Sequence, residues 1–152
     1  VQHMKSTYNL LIGEQMAERI KVTIGSGAPL EKELTMEVGG RDMVAARPRK
    51  VIVNSEEIRE ALKKPIDAIL GAIRETLEKT PPELSADLIN YGLTMVGGGS
   101  LLRGIDKNIS KEIQIPVRVD EDPLTAVAKG TGIVLENLDL VQESLESGED
   151  LM

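Results

Sequence analysis

TMVGGGSLLRG occupies residues 94–104. The apolar run LTMV (93–96) leads into three consecutive glycines, and Leu101, Leu102, Ile105 and Ile109 follow at helical spacing. A short apolar run bounded by glycine is the pattern of a strand buried on both faces, and the spacing after it predicts a helix starting near Ser100. Glycine has no Cβ, so a strand–glycine–helix junction lets backbone N–H groups approach an anion or a flat ring. Junctions of this kind lie at the carboxyl ends of strands, where α/β folds bind their ligands. The pattern matches neither G-x-x-x-x-G-K-[ST] nor G-x-G-x-x-G. On these residues alone, a ligand contact and a tight structural turn both stay open.

Working outward, IPVRV (115–119) is a strand candidate. A helix then begins in EDPLTAVAKGTGIVLENL (121–138), with Asp122 as cap and Pro123 at its first position. Its inward face would be Leu124, Val127, Thr131, Val134 and Leu138. Strand, helix, strand, helix in succession is α/β architecture. Upstream, NSEEI (54–58) opens the clearest helix, with Asn54 or Ser55 as cap and Glu56 and Glu57 at its positive end. Its apolar positions are Ile58, Leu62, Ile66, Ile69, Ile73 and Leu77. Pro65 interrupts that stripe; inside one helix it costs roughly 3 kcal/mol, so two helices meeting near Lys64 and Pro65 are predicted. TPPE (80–83) ends the second and starts a short third helix.

In the first third, IGEQMAERIKVTI (12–24) reads as a helix with Ile12, Met16 and Ile20 on one face and Glu14, Glu18 and Lys21 on the other. GSGAP (25–29) is a breaker cluster. ELTMEVGG (33–40) alternates as a half-buried strand, and RKVIVN (49–54) reads as its neighbour. The link between them is long for a tight hairpin. The acidic QESLESGEDLM (142–152) reads as a flexible tail.

Composition narrows the function classes. The 152 residues carry a net charge of −7, which repels a phosphate backbone, and with no Phe or Trp and two Tyr they lack stacking platforms, so nucleic acid is not an expected partner. There is no cysteine and one histidine, His3, which rules out disulfides and argues against zinc and against a Ser-His-Asp triad. No apolar run approaches the roughly 20 residues of a membrane span, and no secretory leader pattern stands at the start, so a reducing, cytoplasmic setting is expected. Val1 is not an initiator methionine, and the opening residues read as the middle of an amphipathic segment, as in a piece of a longer chain.

Two further groups could carry chemistry. Glu18 could accept hydrogen bonds from ribose hydroxyls and Lys21 could sit by a base or phosphate; a solvated i, i+3 ion pair is the simpler alternative. Asp120, Glu121 and Asp122 could form a metal or acid–base cluster, but capping and solubility account for them more simply.

LIGEQMAERIKVTIGS (11–26), LEKTPPELSADLINYGLTMVGGGSLLRGID (77–106) and EDPLTAVAKGTGIVLENL (121–138), in this order, resemble the MreB family of bacterial actin homologues that determine rod shape. The resemblance implies part of an actin-like ATPase fold: residues 1–64 as a small α+β outer lobe (subdomain IIB), 65–138 as part of a ribonuclease H-like inner lobe (subdomain IIA) and 139–152 as the tail. It implies ATP as ligand, with Mg2+ in the full-length protein. Glu18, Arg19, Ile20 and Lys21 would contact the nucleotide from the outer lobe, and Gly97, Gly98, Gly99 and Ser100 from the inner one. Val96 stands where the family usually has threonine. Self-association into filaments and docking of a cytoplasmic adaptor of the cell-wall elongation machinery are the implied partners. The family's phosphate loops, catalytic glutamate and membrane anchor have no counterpart in these residues, so negligible ATP hydrolysis and weak ATP binding are expected of them alone. The rivals are a nucleotide-free interaction module on the same fold, a related actin-like filament protein such as the magnetosome one, and half of a metabolite kinase.

Overall fold

The structure, a computed structural model, describes residues 1–138; the predicted tail lies outside the described residues. The first part of the chain builds α1 (Gln2–Tyr8), β1 (Leu10–Leu11), α2 (Glu14–Ile24), β2 (Thr35–Asp42) and β3 (Pro48–Asn54). The three strands form an antiparallel sheet in that order, with Val38 opposite Val51 and Met36 opposite Val53. Alternation sends Val38, Val51 and Val53 inward while Glu37 and Ile52 face solvent. Met4, Leu10, Ile12, Ile20, Ile24 and Ile58 close the same core over that face.

The predicted helix of α2 starts two residues later than its apolar pattern, because Gly13 is the cap and Ile12 belongs to the core. His3 lies in α1. Its Nε2 lies 2.6 Å from Glu57 Oε1, and Tyr8 Oη donates to Glu57 Oε2 at 2.9 Å. Desolvation, reinforced by the Glu57 carboxylate, raises the Tyr8 phenol above its ordinary range.

The long β2–β3 link is held by Asp42, whose Oδ1 accepts the N–H groups of Val44 and Ala45, each at 2.8 Å, while Arg49 reaches Oδ2 at 3.1 Å. The two backbone N–H bonds, then Arg49, hold the Asp42 carboxyl below its usual range. A depressed folded-state pKa means the stabilisation is complete above the unfolded-state value and is lost as pH falls through the folded one. Amide exchange at Val44 and Ala45 is therefore expected to accelerate in acid below the usual aspartate range, and Asp42→Asn to flatten that pH dependence.

From Asn54 the chain enters α3 (Ser55–Lys79), capped by Asn54 Oδ1 accepting the Glu57 N–H at 2.8 Å. The expected break at Pro65 does not occur: α3 is one continuous helix. The ring removes the N–H that would meet the Ala61 carbonyl, but Pro65 is exposed, where solvent can reach it. On either side, Ile58 sits in the first core and Ile66 and Leu70 in a second, with Leu62 packed against both. Burying an aliphatic side chain contributes about 1.5–3 kcal/mol, so Ile66 and Leu70 together offset the proline's cost. The buried stripe runs through Leu70; Ile69 is 49% exposed.

The rest comprises α4 (Pro82–Tyr91), β4 (Leu93–Met95), a 3-10 turn (Gly98–Leu101), α5 (Ile105–Ile113), β5 (Val117–Val119) and α6 (Ala126–Glu136). β4 and β5 pair in parallel, Leu93 opposite Val117 and Met95 opposite Val119. Ile105 and Ile109 of α5 join Ile66 and Leu70 in the second core. Three expectations fail here. The helix after the glycines begins at Ile105, because Gly104 caps it at φ 70°. β4 is only half-buried, and Val96 is 44% exposed. The intended inward face of α6 is open: Leu124 and Val127 are each 67% exposed and no residue of α6 is buried. The first follows from the Gly104 turn; β4 packs Met95 against the second core but leaves Thr94 exposed, and among the described residues nothing buries the apolar positions of α6. No described helix is long and apolar enough to cross a membrane.

Candidate functional site

Both predicted segments are placed by the ends of their elements. On α2, Glu18 Oε2 and Lys21 Nζ form an ion pair at 2.7 Å on the solvent side, with Arg19 also exposed. Ile20 is different: its side chain is in the first core, so only its backbone can meet a ligand. A surface pair like Glu18–Lys21 contributes little stability and can exchange its partner for a ligand group at small cost.

In the glycine run, Gly97 has φ 79°, which disfavours any side chain, and its N–H donates to the Pro123 carbonyl at 2.6 Å. Gly98 and Gly99 have no such backbone requirement. A Cβ on Gly99 would meet nothing within 4 Å, and one on Gly98 only the Leu124 side chain at 3.6 Å. A turn therefore needs glycine at one of the three positions; bare, accessible backbone is what the other two supply. Ser100 is buried, and its hydroxyl donates to the Gly97 carbonyl at 2.7 Å, so it locks the turn.

The residues that follow the two segments meet at one junction. Directly after α2, Ser26 forms an isolated parallel bridge with Arg103, two residues past the 3-10 turn. Arg103 Nη1 donates to the Gly25 carbonyl at 3.3 Å, and the Gly25 N–H donates to the Lys21 carbonyl at 2.9 Å. Arg59, on α3, donates to Ser26 Oγ at 2.9 Å and to Glu33 Oε1 at 2.7 Å. Arg59 first, then the Ser55 hydroxyl, hold the Glu33 carboxyl below its usual range. Arg59, Arg103, Asn108 and the loop they hold were not singled out as a site by sequence reasoning. The available signal was GSG beside LLRG, two glycine-flanked polar residues far apart in the chain.

Cavity size does not pick out the predicted segments. A groove of about 800 Å³ runs along α3 past Glu60, Lys63, Asp67 and Asn108 and contains none of the predicted residues. A cavity of about 170 Å³ has Ile20 and Lys21 in its wall, between α1, α2 and α3. The predicted Asp122 cap and Pro123 start do not hold: the Pro123 carbonyl is taken by the Gly97 N–H, and α6 begins at Ala126 behind Thr125 with no side-chain cap bond. The Asp122 carboxylate instead accepts the Thr125 hydroxyl at 2.5 Å and Lys129 Nζ at 2.6 Å; these bonds, Lys129 first, hold it below its usual range. Among the described residues, no three His, Cys, Asp or Glu side chains are grouped to hold a metal.

The MreB/Mbl protein family model matches residues 1–143. The cell shape-determining protein Mbl of Bacillus cereus is 48% identical over 139 residues, which cover 91% of this chain and 42% of that protein. The crystal structure of MreB 5 of Spiroplasma citri bound to AMPPNP overlays with a TM-score of 0.87 at 37% identity, covering 97% of this chain and 43% of that one. A MamK double helical filament, at 19% identity and a TM-score of 0.66 over 81% of this chain and 38% of that one, shares the fold alone. The chain thus spans about two fifths of the length of the relatives it matches. Its mixed α/β fold is part of an actin-like domain, and the chain belongs to the MreB/Mbl family.

Proposed function

We propose that this chain is the half of an actin-like, cell-shape-determining filament protein that grips the nucleoside of ATP. In this reading, residues 1–64 form the outer lobe and residues 65–138 part of the inner one. The carrying observation is the pair Gly98 and Gly99, where backbone is left bare although neither crowding nor a left-handed φ demands it. The exposed Glu18–Lys21 pair on the far side of the residue 25–28 loop supplies an acceptor for ribose hydroxyls and a cation. Arg19 and the Ile20 backbone complete the outer wall, and Ser100 keeps the glycine turn in shape. That a relative was solved with AMPPNP supports the ligand class. The residues fit an adenosine better than a triphosphate with Mg2+, because this stretch has no aspartate-glycine-threonine phosphate loop and no described acidic trio for a metal. Bound Mg2+ would serve to neutralise phosphate charge in the full-length protein. Self-association into filaments in the cytoplasm, and docking of an adaptor of the wall-elongation machinery on the same half, belong to this reading.

Titrating the isotope-labelled chain with AMPPNP and following backbone amide shifts tests it. Saturable shifts are expected at residues 18–21 and 97–100 together, with affinity in the weak millimolar range because these residues carry no phosphate loop. Shifts confined to one segment, or none at either, would sink it. A second reading, a nucleotide-free interaction module, draws on the open apolar face of α6; the absence of any saturable AMPPNP response would favour it.

A further inference from the structure

We propose that Arg59, Arg103 and Asn108 are positioning residues that couple α2 to the glycine turn through the loop of residues 25–28, without touching the ligand. The coupling is read from the fold; its consequence for nucleotide affinity rests on the function proposed above.

The loop leaves α2 directly after Ile24, and each of three carbonyls in it is met by a different side chain. Arg103 Nη1 donates to Gly25 O at 3.3 Å, Asn108 Nδ2 to Gly27 O at 2.5 Å and Arg59 Nη1 to Ala28 O at 3.1 Å. The main chain adds the Gly27 N–H to Arg103 O at 2.7 Å. The donors come from three places: α3, the segment following the 3-10 turn, and α5. Ser26 is fully buried beneath them, its hydroxyl on Arg59.

The packing leaves no slack. A Cβ on Gly27 would stand 3.0 Å from Ile105 Cα, and one on Gly104, already at φ 70°, 2.9 Å from Ala28 Cβ. The route from Lys21 to Leu101 therefore passes through the backbone hydrogen bonds of Gly25 and Gly27 and through the three side chains that clamp the same loop. A ligand held from both sides depends on the spacing of its walls, and a supporting layer left loose by an ångström forfeits affinity. These three side chains hold that spacing.

Hydrogen exchange of the 152-residue chain, as wild type and as Asn108→Ala, Arg103→Ala and Arg103→Lys, tests the coupling, and AMPPNP titration of the same proteins tests its consequence. Asn108→Ala and Arg103→Ala are expected to speed exchange by about fivefold to tenfold, the factor one net hydrogen bond supplies. The acceleration is expected in residues 18–28 and in 97–103 alike, with AMPPNP affinity falling by a similar factor. Arg103→Lys, which keeps a cationic donor, is expected to recover most of both effects, and serves if an alanine variant does not fold. Acceleration confined to the segment bearing the substitution would overturn the coupling. Acceleration in both segments with undiminished AMPPNP affinity would overturn the positioning role. A wild-type chain with no AMPPNP response would remove the proposed ligand, while the spread of exchange would still decide whether the two elements are mechanically joined.

Discussion

Gly99→Leu is expected to lower the affinity for AMPPNP about a hundredfold, which for a weak half-site means loss of detectable binding. The leucine would stand where the ligand must close on bare backbone. The folded chain itself should tolerate it, because a Cβ at this exposed position meets nothing within 4 Å and the φ there is not left-handed. A melting temperature within about 2 °C of wild type is expected, as for an exposed substitution. The dissociation matters: if the three glycines served only the turn, Gly99→Leu would either be silent in both assays or cost stability without a ligand effect. Calorimetric melting and AMPPNP titration of one protein preparation separate these outcomes.

Gly92→Ala is expected to have the largest effect on stability, for the opposite reason. Gly92 follows α4 at φ 71°, and a Cβ there would lie 2.4 Å from the carbonyl oxygen of Pro116. That oxygen already accepts the Leu93 N–H at 2.8 Å, the bond that starts the β4–β5 pairing. The left-handed backbone costs about 1–2 kcal/mol and the overpacking about 1–3 kcal/mol. A loss of about 3 kcal/mol, or roughly 10 °C in melting temperature, follows for a chain of this size. Gly71→Ala is the matched control: it lies inside α3 with nothing within 4 Å of its Cβ, so it should raise stability by about 0.5–1 kcal/mol. Equal melting temperatures for Gly92→Ala and wild type would show that the β4–β5 junction yields more readily than its geometry indicates.

Much of the candidate site was legible because its chemistry is local. Glu18 and Lys21 are three apart on a helix whose other face is visibly apolar, so their shared exposure follows from periodicity. A glycine turn at 97–99 was readable from three glycines after an apolar run. Their division of labour was not: Gly97 serves the turn, Gly98 and Gly99 leave backbone open, and the Ser100 hydroxyl is spent inside the turn. Those assignments depend on φ and on distances to Pro123 and Leu124, which no spacing rule supplies.

What the amino-acid order determined by itself are features whose energy lies within one element: the alternation of β2 and β3, the amphipathic α2, a cap at Asn54 or Ser55 and the strand–helix–strand–helix order after Leu93. What only the tertiary structure decided is where distant segments share a cost. Pro65 sits inside an unbroken helix because Ile58 is buried in one core and Ile66 and Leu70 in another. The GSG breaker is a clamped loop because Arg59, Arg103 and Asn108 reach it from up to 81 positions away. The physical reason is the same in each case. A local pattern reports what a segment prefers, whereas burial and hydrogen bonding between segments set whether that preference prevails, and they can outweigh a penalty of a few kcal/mol.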